Sequence, residues 1–167
     1  YKRQVDGLIL APTGASSTAL ERLKAAHIPV VQIDRQIPAF DAPFVGVDNE
    51  AGAYQAIQYL IELGHRHIAV LMGIDTISTQ QDRIVGYKRA LRGAKIPVED
   101  RFIIQADPRT YKNQPYLFDT STTGLIDNQI TASAYQALQT LLSLPERPTA
   151  IFVTNNQMTL GAISSIR

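Results

Sequence analysis

The sequence predicts an α/β fold on parallel strands, from three observations. Short apolar runs alternate with longer segments whose apolar residues recur at helical spacing. The runs are continuously apolar instead of alternating with polar residues, as in strands that helices cover on both faces. Most of them end on polar residues, at the strand exits where open parallel sheets hold their ligands.

Taken in order, Val5 to Ala11 (VDGLILA) reads as a buried strand. Ser17 to Ala26 reads as a helix with Leu20 and Leu23 on one face and Ser16 or Ser17 as cap. Pro29 to Asp34 (PVVQID) is a second strand, and FVGV from Phe44 is a short apolar run ending in Asp48-Asn49. Asn49 to Leu63 places Ala53, Ile57, Leu60 and Ile61 on one stripe and stops at Gly64. The strand His67 to Met72 follows, then a helix Gln80 to Arg92 carrying Ile84, Tyr87 and Leu91, then a strand Arg101 to Ala106. Asp107 to Ile130, rich in Thr, Asn, Asp, Pro and aromatics, breaks the rhythm and reads as an inserted loop. Ala134, Leu138, Leu141 and Leu142 mark a further helix, Ala150 to Thr154 a last strand, and a final helix follows. The strand exits to inspect are Ala11-Pro12, Asp34-Arg35, Asp48-Asn49, Gly73, Ala106-Asp107 and Asn155-Asn156.

Composition excludes several classes. With 167 residues, 45% of them apolar and 19% charged, the chain can bury one substantial core or two modest ones. Sixteen basic and fifteen acidic side chains leave a net charge of +1 with no Lys/Arg block, so these residues are not expected to bind nucleic acid by themselves. Having no cysteine removes disulfides, thiolate zinc sites and a Cys nucleophile, and fits a reducing cytosol. No apolar run approaches the roughly 20 residues of a membrane span. The start at Tyr1 and the stop at Arg167 within helical pattern lead us to expect a piece of a longer protein.

Motifs for cofactor chemistry are missing. There is no G-x-G-x-x-G after a strand, no P-loop and no G-x-S-x-G elbow. Thr13-Gly14-Ala15-Ser16-Ser17 is read as plain capping, and His65-Arg66-His67 has no third ligand at useful spacing, so no metal and no cofactor are expected. Asp48-Asn49 could hold a phosphate, supply an acid-base pair or cap a helix; the cap is favoured, with Glu50 suiting the positive end of the dipole. Asn155-Asn156 exceeds the needs of one cap, and a carboxamide both donates to and accepts from hydroxyls. Arg83, beside an apolar stripe and among Thr79, Gln80, Gln81 and Asp82, is either a ligand contact or a solvated cation.

The runs VDGLILAP, IPVVQIDR, VGVDNEAGAYQAIQYLIELGHRHIAVLMG, DRIVGYKRAL and RPTAIFVTNNQMTLGA resemble, in order and spacing over nearly the whole chain, the effector-binding core of the lactose-repressor (LacI/GalR) family of bacterial transcription regulators. The resemblance implies a periplasmic-binding-protein-like fold of two lobes, each a parallel sheet flanked by helices. Residues 1–47 would be part of the N-terminal lobe and 48–167 most of the C-terminal lobe. It implies a sugar or sugar derivative in the cleft, a helix-turn-helix domain upstream of these residues that holds operator DNA, a cytoplasmic homodimer, no membrane partner and no enzymatic activity. A periplasmic sugar-binding protein of an ABC transporter shares fold and cleft and is the alternative. By the same resemblance Asp34, Arg83 and Asn155 fall on effector-binding positions, and Asp48 and Asn49 lie next to the hinge. The family usually has a short loop after the strand near Asp107, with an aromatic that stacks on the ligand. Here Pro108 opens a longer segment, and Tyr111, Tyr116 or Phe118 can take that role.

Overall fold

The computed structural model describes residues 5–12, 18–107 and 129–166. The strands form two parallel three-stranded sheets. In the first, β1 (Leu8–Leu10), β2 (Val30–Ile33) and β3 (Phe44–Val45) lie in sequence order, with Leu8 opposite Val30 and Gln32 opposite Phe44. Helix α1 (Thr18–Ala25) connects β1 to β2. Its Leu20 joins Val30, Ile37 and Phe40 in a small core.

The second sheet has the order β5-β4-β6, so the chain crosses over its central strand. It contains β4 (Ile68–Met72), β5 (Ile103–Gln105) and β6 (Ala150–Val153). Around it lie α2 (Asn49–Glu62), α3 (Ser78–Gly93), α4 (Gln129–Leu142) and α5 (Asn156–Ile166). β4 is buried along its whole length, as its unbroken IAVLM predicts. One face meets Ile57, Tyr87 and Leu91 of α2 and α3; the other meets Ala134, Leu138, Met158 and Ala162 of α4 and α5. The α/β fold with two parallel sheets is therefore as the sequence reading expects.

Several local expectations change. One face of the first sheet is left open among the described residues: Ile9 is 71% and Val45 63% exposed, because α1 packs on the opposite face and the β2–β3 connection folds onto that same side. Buried Gln32 pins that connection, accepting from the Ile37 N–H at 2.7 Å and donating to the Phe40 carbonyl at 3.3 Å. The strand expected from Arg101 begins only at Ile103, since Asp100–Phe102 forms a 3-10 turn that buries Phe102. Gly64 stops α2 as expected: at φ +95 it lets its own N–H reach the Ile61 carbonyl and that of His65 reach Leu60. The expected insertion and its Tyr111, Tyr116 and Phe118 lie outside the described residues, as does the loop at Thr13-Gly14.

Candidate functional site

The exits of β4 and β6 meet the first turns of α2, α3 and α5. Asp48 caps α2, its Oδ1 accepting from the Ala51 N–H at 2.8 Å. The next residue turns inward: Asn49 is buried, donates to the Val47 carbonyl at 3.3 Å and accepts from Arg83 Nε at 2.9 Å. Arg83 also donates through Nη1 to the Thr154 carbonyl at the end of β6. The guanidinium thus ties the start of α2 to the exit of β6, so Arg83 is an anchored, part-buried side chain at the edge of the junction.

Two neighbours fix this geometry. Gln80, buried one turn before Arg83, accepts from the Gly73 N–H at 3.1 Å and from the Thr154 hydroxyl, joining both strand exits to α3. Gly86, one turn after Arg83, lets α3 lie directly against α2: a Cβ there would stand 2.2 Å from the Glu50 carbonyl oxygen. Further along, the buried Tyr87 hydroxyl donates to the Ile68 carbonyl at 2.7 Å, and burial pushes its pKa up to about 12. Burial, then the charges of Glu50 and Asp48, raise the pKa of Asp82 above its ordinary value, with Arg83 opposing.

An open pocket of about 380 Å³ lies at the junction, lined by Val47, Asp48, Asn49, Gly52, Arg83 and Thr154 among others. Asn155 follows Thr154 and caps α5, its Oδ1 accepting from the N–H groups of Gln157 at 2.8 Å and Met158 at 3.3 Å. The capping occupies its oxygen and leaves Nδ2 to donate. Asp34 stands apart on the β2 exit at φ +62, with Oδ2 3.4 Å from Arg35 Nε. Among the described residues no hydrogen bond joins it to Arg83 or Asn155. The exit loop is nevertheless tied to α3, because Gln36 donates its N–H to Ser78 Oγ at 3.0 Å.

Asn49, Arg83 and Asn155 are therefore assembled at one junction, with Asp34 on a loop tethered to the same helix. Gln80 and Gln32 were not singled out from sequence; a carboxamide inside an otherwise apolar strand or helix face was the available signal. His65 and His67 sit at the opposite end of β4, where His65 Nδ1 lies 3.0 Å from Thr149 Oγ1. Among the described residues no group of three or more His, Cys, Asp or Glu could hold a metal, and no helix is long and apolar enough to cross a membrane.

Two parallel α/β units with polar groups gathered at their strand exits define a ligand-binding core, and comparison with known proteins gives its family. Residues 2–167 match the model of the periplasmic binding protein domain. The catabolite control protein A of Priestia megaterium is 33% identical over 162 residues, 96% of this chain and 42% of that protein. A regulatory protein of the LacI family from Chloroflexus aggregans superposes with a TM-score of 0.75 at 28% identity, covering 98% of this chain and 51% of that one. A transcriptional regulator, CelR, in complex with cellobiose, gives 0.76 at 26% identity, covering 99% and 45%. The chain belongs to the periplasmic binding protein domain family, in the form of the effector-binding domain of LacI-family regulators. It spans about half, or somewhat less, of the length of the relatives it matches.

Proposed function

We propose that this chain is the effector core of a transcriptional regulator that takes a sugar or sugar derivative between two lobes. Residues 1–47 contribute to the N-terminal lobe and 48–167 form most of the C-terminal one. The observation that carries the proposal is the placement of Arg83. It is anchored to Asn49, beside the crossing between lobes, and to Thr154, next to Asn155, and among the described residues its Nη2 makes no hydrogen bond. An effector that engages Arg83, the Asn155 Nδ2 and the Asp34 carboxylate would meet donors and an acceptor suited to adjacent hydroxyls.

Such an effector reports to DNA only if it binds the two lobe arrangements unequally, and the coupling is then reciprocal. Operator DNA is held by a helix-turn-helix domain elsewhere in the whole protein, which acts as a cytoplasmic homodimer without enzymatic activity. The cellobiose complex of a relative supports a carbohydrate effector. The test is a thermal-shift screen of the full-length protein against monosaccharides, disaccharides, sugar phosphates and purines, followed by operator gel shifts with each hit. A carbohydrate that raises the melting temperature and changes operator affinity supports the proposal. Stabilisation by purines alone, or turnover of a sugar, would refute it.

A further inference from the structure

The loop that leaves β2 places four consecutive backbone N–H groups, and three of them bind within their own unit. Asp34 donates to the Val45 carbonyl at 3.0 Å, Arg35 to the Ile33 carbonyl at 2.6 Å and Ile37 to Gln32 Oε1 at 2.7 Å. Gln36 alone looks outward, donating to Ser78 Oγ at 3.0 Å. The acceptor is held as firmly as the donor. Ser78 opens α3, whose Gln80 accepts from Gly73 and Thr154 and whose Arg83 donates to Asn49 and Thr154. Apart from the bond between Asn49 and nearby Val47, this is among the described residues the one hydrogen bond that joins the first sheet and its loops to the unit around the second.

We infer that Ser78 is a positioning residue: by accepting the Gln36 N–H, its hydroxyl sets the spacing between the two units, and so between Asp34 on one side and Arg83 and Asn155 on the other. The inference rests on the sugar-effector proposal above and adds a residue that acts on that site without touching the sugar. Asp34 lies two residues before Gln36 in a loop whose other amides are fixed, so it moves with the donor. Arg83 lies five residues after Ser78, about 7.5 Å along a helix that rises 1.5 Å per residue, and moves with the acceptor. A ligand spanning both sides therefore meets groups whose separation passes through one bond. That bond is neutral and exposed, so water replaces it at small cost and the fold does not depend on it. Its loss lets the units part. The apparent affinity then falls with the fraction of molecules that keep the binding spacing.

The test measures spacing and affinity separately, on the full-length protein. Residues 1–167 hold no cysteine, so spin labels at Glu21→Cys on α1 and Gln55→Cys on α2, with any cysteine elsewhere replaced, report the distance between the units by pulsed electron paramagnetic resonance. Ser78→Ala and Ser78→Val, which lack the hydroxyl, should broaden the distance distribution or move its maximum outward. Ser78→Thr, which has the shape of Val and keeps the acceptor, should match wild type. Calorimetric titration with ribose, glucose, galactose, mannose and cellobiose should show the Ala and Val variants holding the sugar that binds wild type about two- to tenfold more weakly, a loss bounded by the worth of one neutral hydrogen bond. The Thr variant should bind within about twofold of wild type. Melting temperatures monitor folding, and because Val and Thr share a shape, their difference isolates the hydroxyl. Weaker binding at unchanged distance would place Ser78 in contact with the sugar and overturn the positioning role. Unchanged distance with unchanged affinity, or a Thr variant that behaves like Val, would overturn it equally. If none of these sugars binds wild type, the sugar proposal loses its support, while the distances alone decide whether Ser78 sets the spacing.

Discussion

Replacing Arg83 separates a side chain that holds the fold from one that waits for ligand. Arg83→Ala removes the bond to Asn49 and the bond to the Thr154 carbonyl, leaving both acceptors at buried residues. A hydrogen bond from a charged donor is worth about 1.5 to 3 kcal/mol, and an orphaned buried acceptor costs about 1 to 3. Arg83 is only part-buried and lines an open pocket that lets water reach the orphans, which places the sum near the low end, about 2 to 3 kcal/mol. With a urea slope of roughly 1 to 3 kcal/mol/M, the midpoint should fall by about 1 to 2 M at unchanged slope. Arg83→Lys should recover less than half, since one ammonium cannot span both partners in the geometry of the fork. The assay is urea unfolding of the ligand-free protein followed by circular dichroism. A change below about 0.5 kcal/mol for Arg83→Ala, the usual effect at a solvated surface position, would refute the anchoring role.

Tyr87→Phe should cost about 1 kcal/mol at pH 7 by removing the bond to Ile68. Because the folded-state pKa is raised from 10.0 to about 12, Tyr87 stabilises fully below pH 10 and loses that contribution as pH rises towards 12, so wild type and variant should converge across that window in alkaline unfolding. Gly86→Ala should destabilise by about 3 kcal/mol, because the carbonyl of Glu50 cannot yield without separating α2 from α3; a variant melting like wild type would count against that close contact. Replacing His65 and His67 together by Ala should leave effector affinity within twofold, as β4 sets them about 16 Å from the site-bearing strand ends at 3.3 Å per residue. A large loss, or dependence on added metal, would show that the placement is wrong.

What the sequence made legible was set by range. α2, α3 and α4 are periodic over many residues and end on recognisable signals, so their existence and buried stripes follow directly. β4 is equally plain because IAVLM is buried on both faces. Shorter pieces escape: β3 has only two residues before Asp48 begins a helix, and Asp100–Phe102 adopts a turn within a run that reads as strand. At the site, the positions were legible but not their partners. Arg83 meets groups 34 and 71 residues away in the chain, a pairing that spacing cannot encode. Nor could local pattern show that Asp34 occupies a left-handed turn or that Arg35 Nε is left without an acceptor.

The most direct test of effector recognition changes hydrogen-bonding character without changing shape. Asn155→Asp keeps the oxygen that caps α5 and removes the Nδ2 donor; Asp34→Asn tolerates the left-handed turn and removes the charged acceptor. Calorimetric titration of the intact protein with the carbohydrate found by screening should show each variant binding at least about tenfold more weakly, a loss of about 1.4 kcal/mol, with melting temperatures of the ligand-free proteins within a few degrees of wild type. Two well-folded variants that bind the sugar as tightly as wild type would contradict the assignment of the effector site to these strand exits.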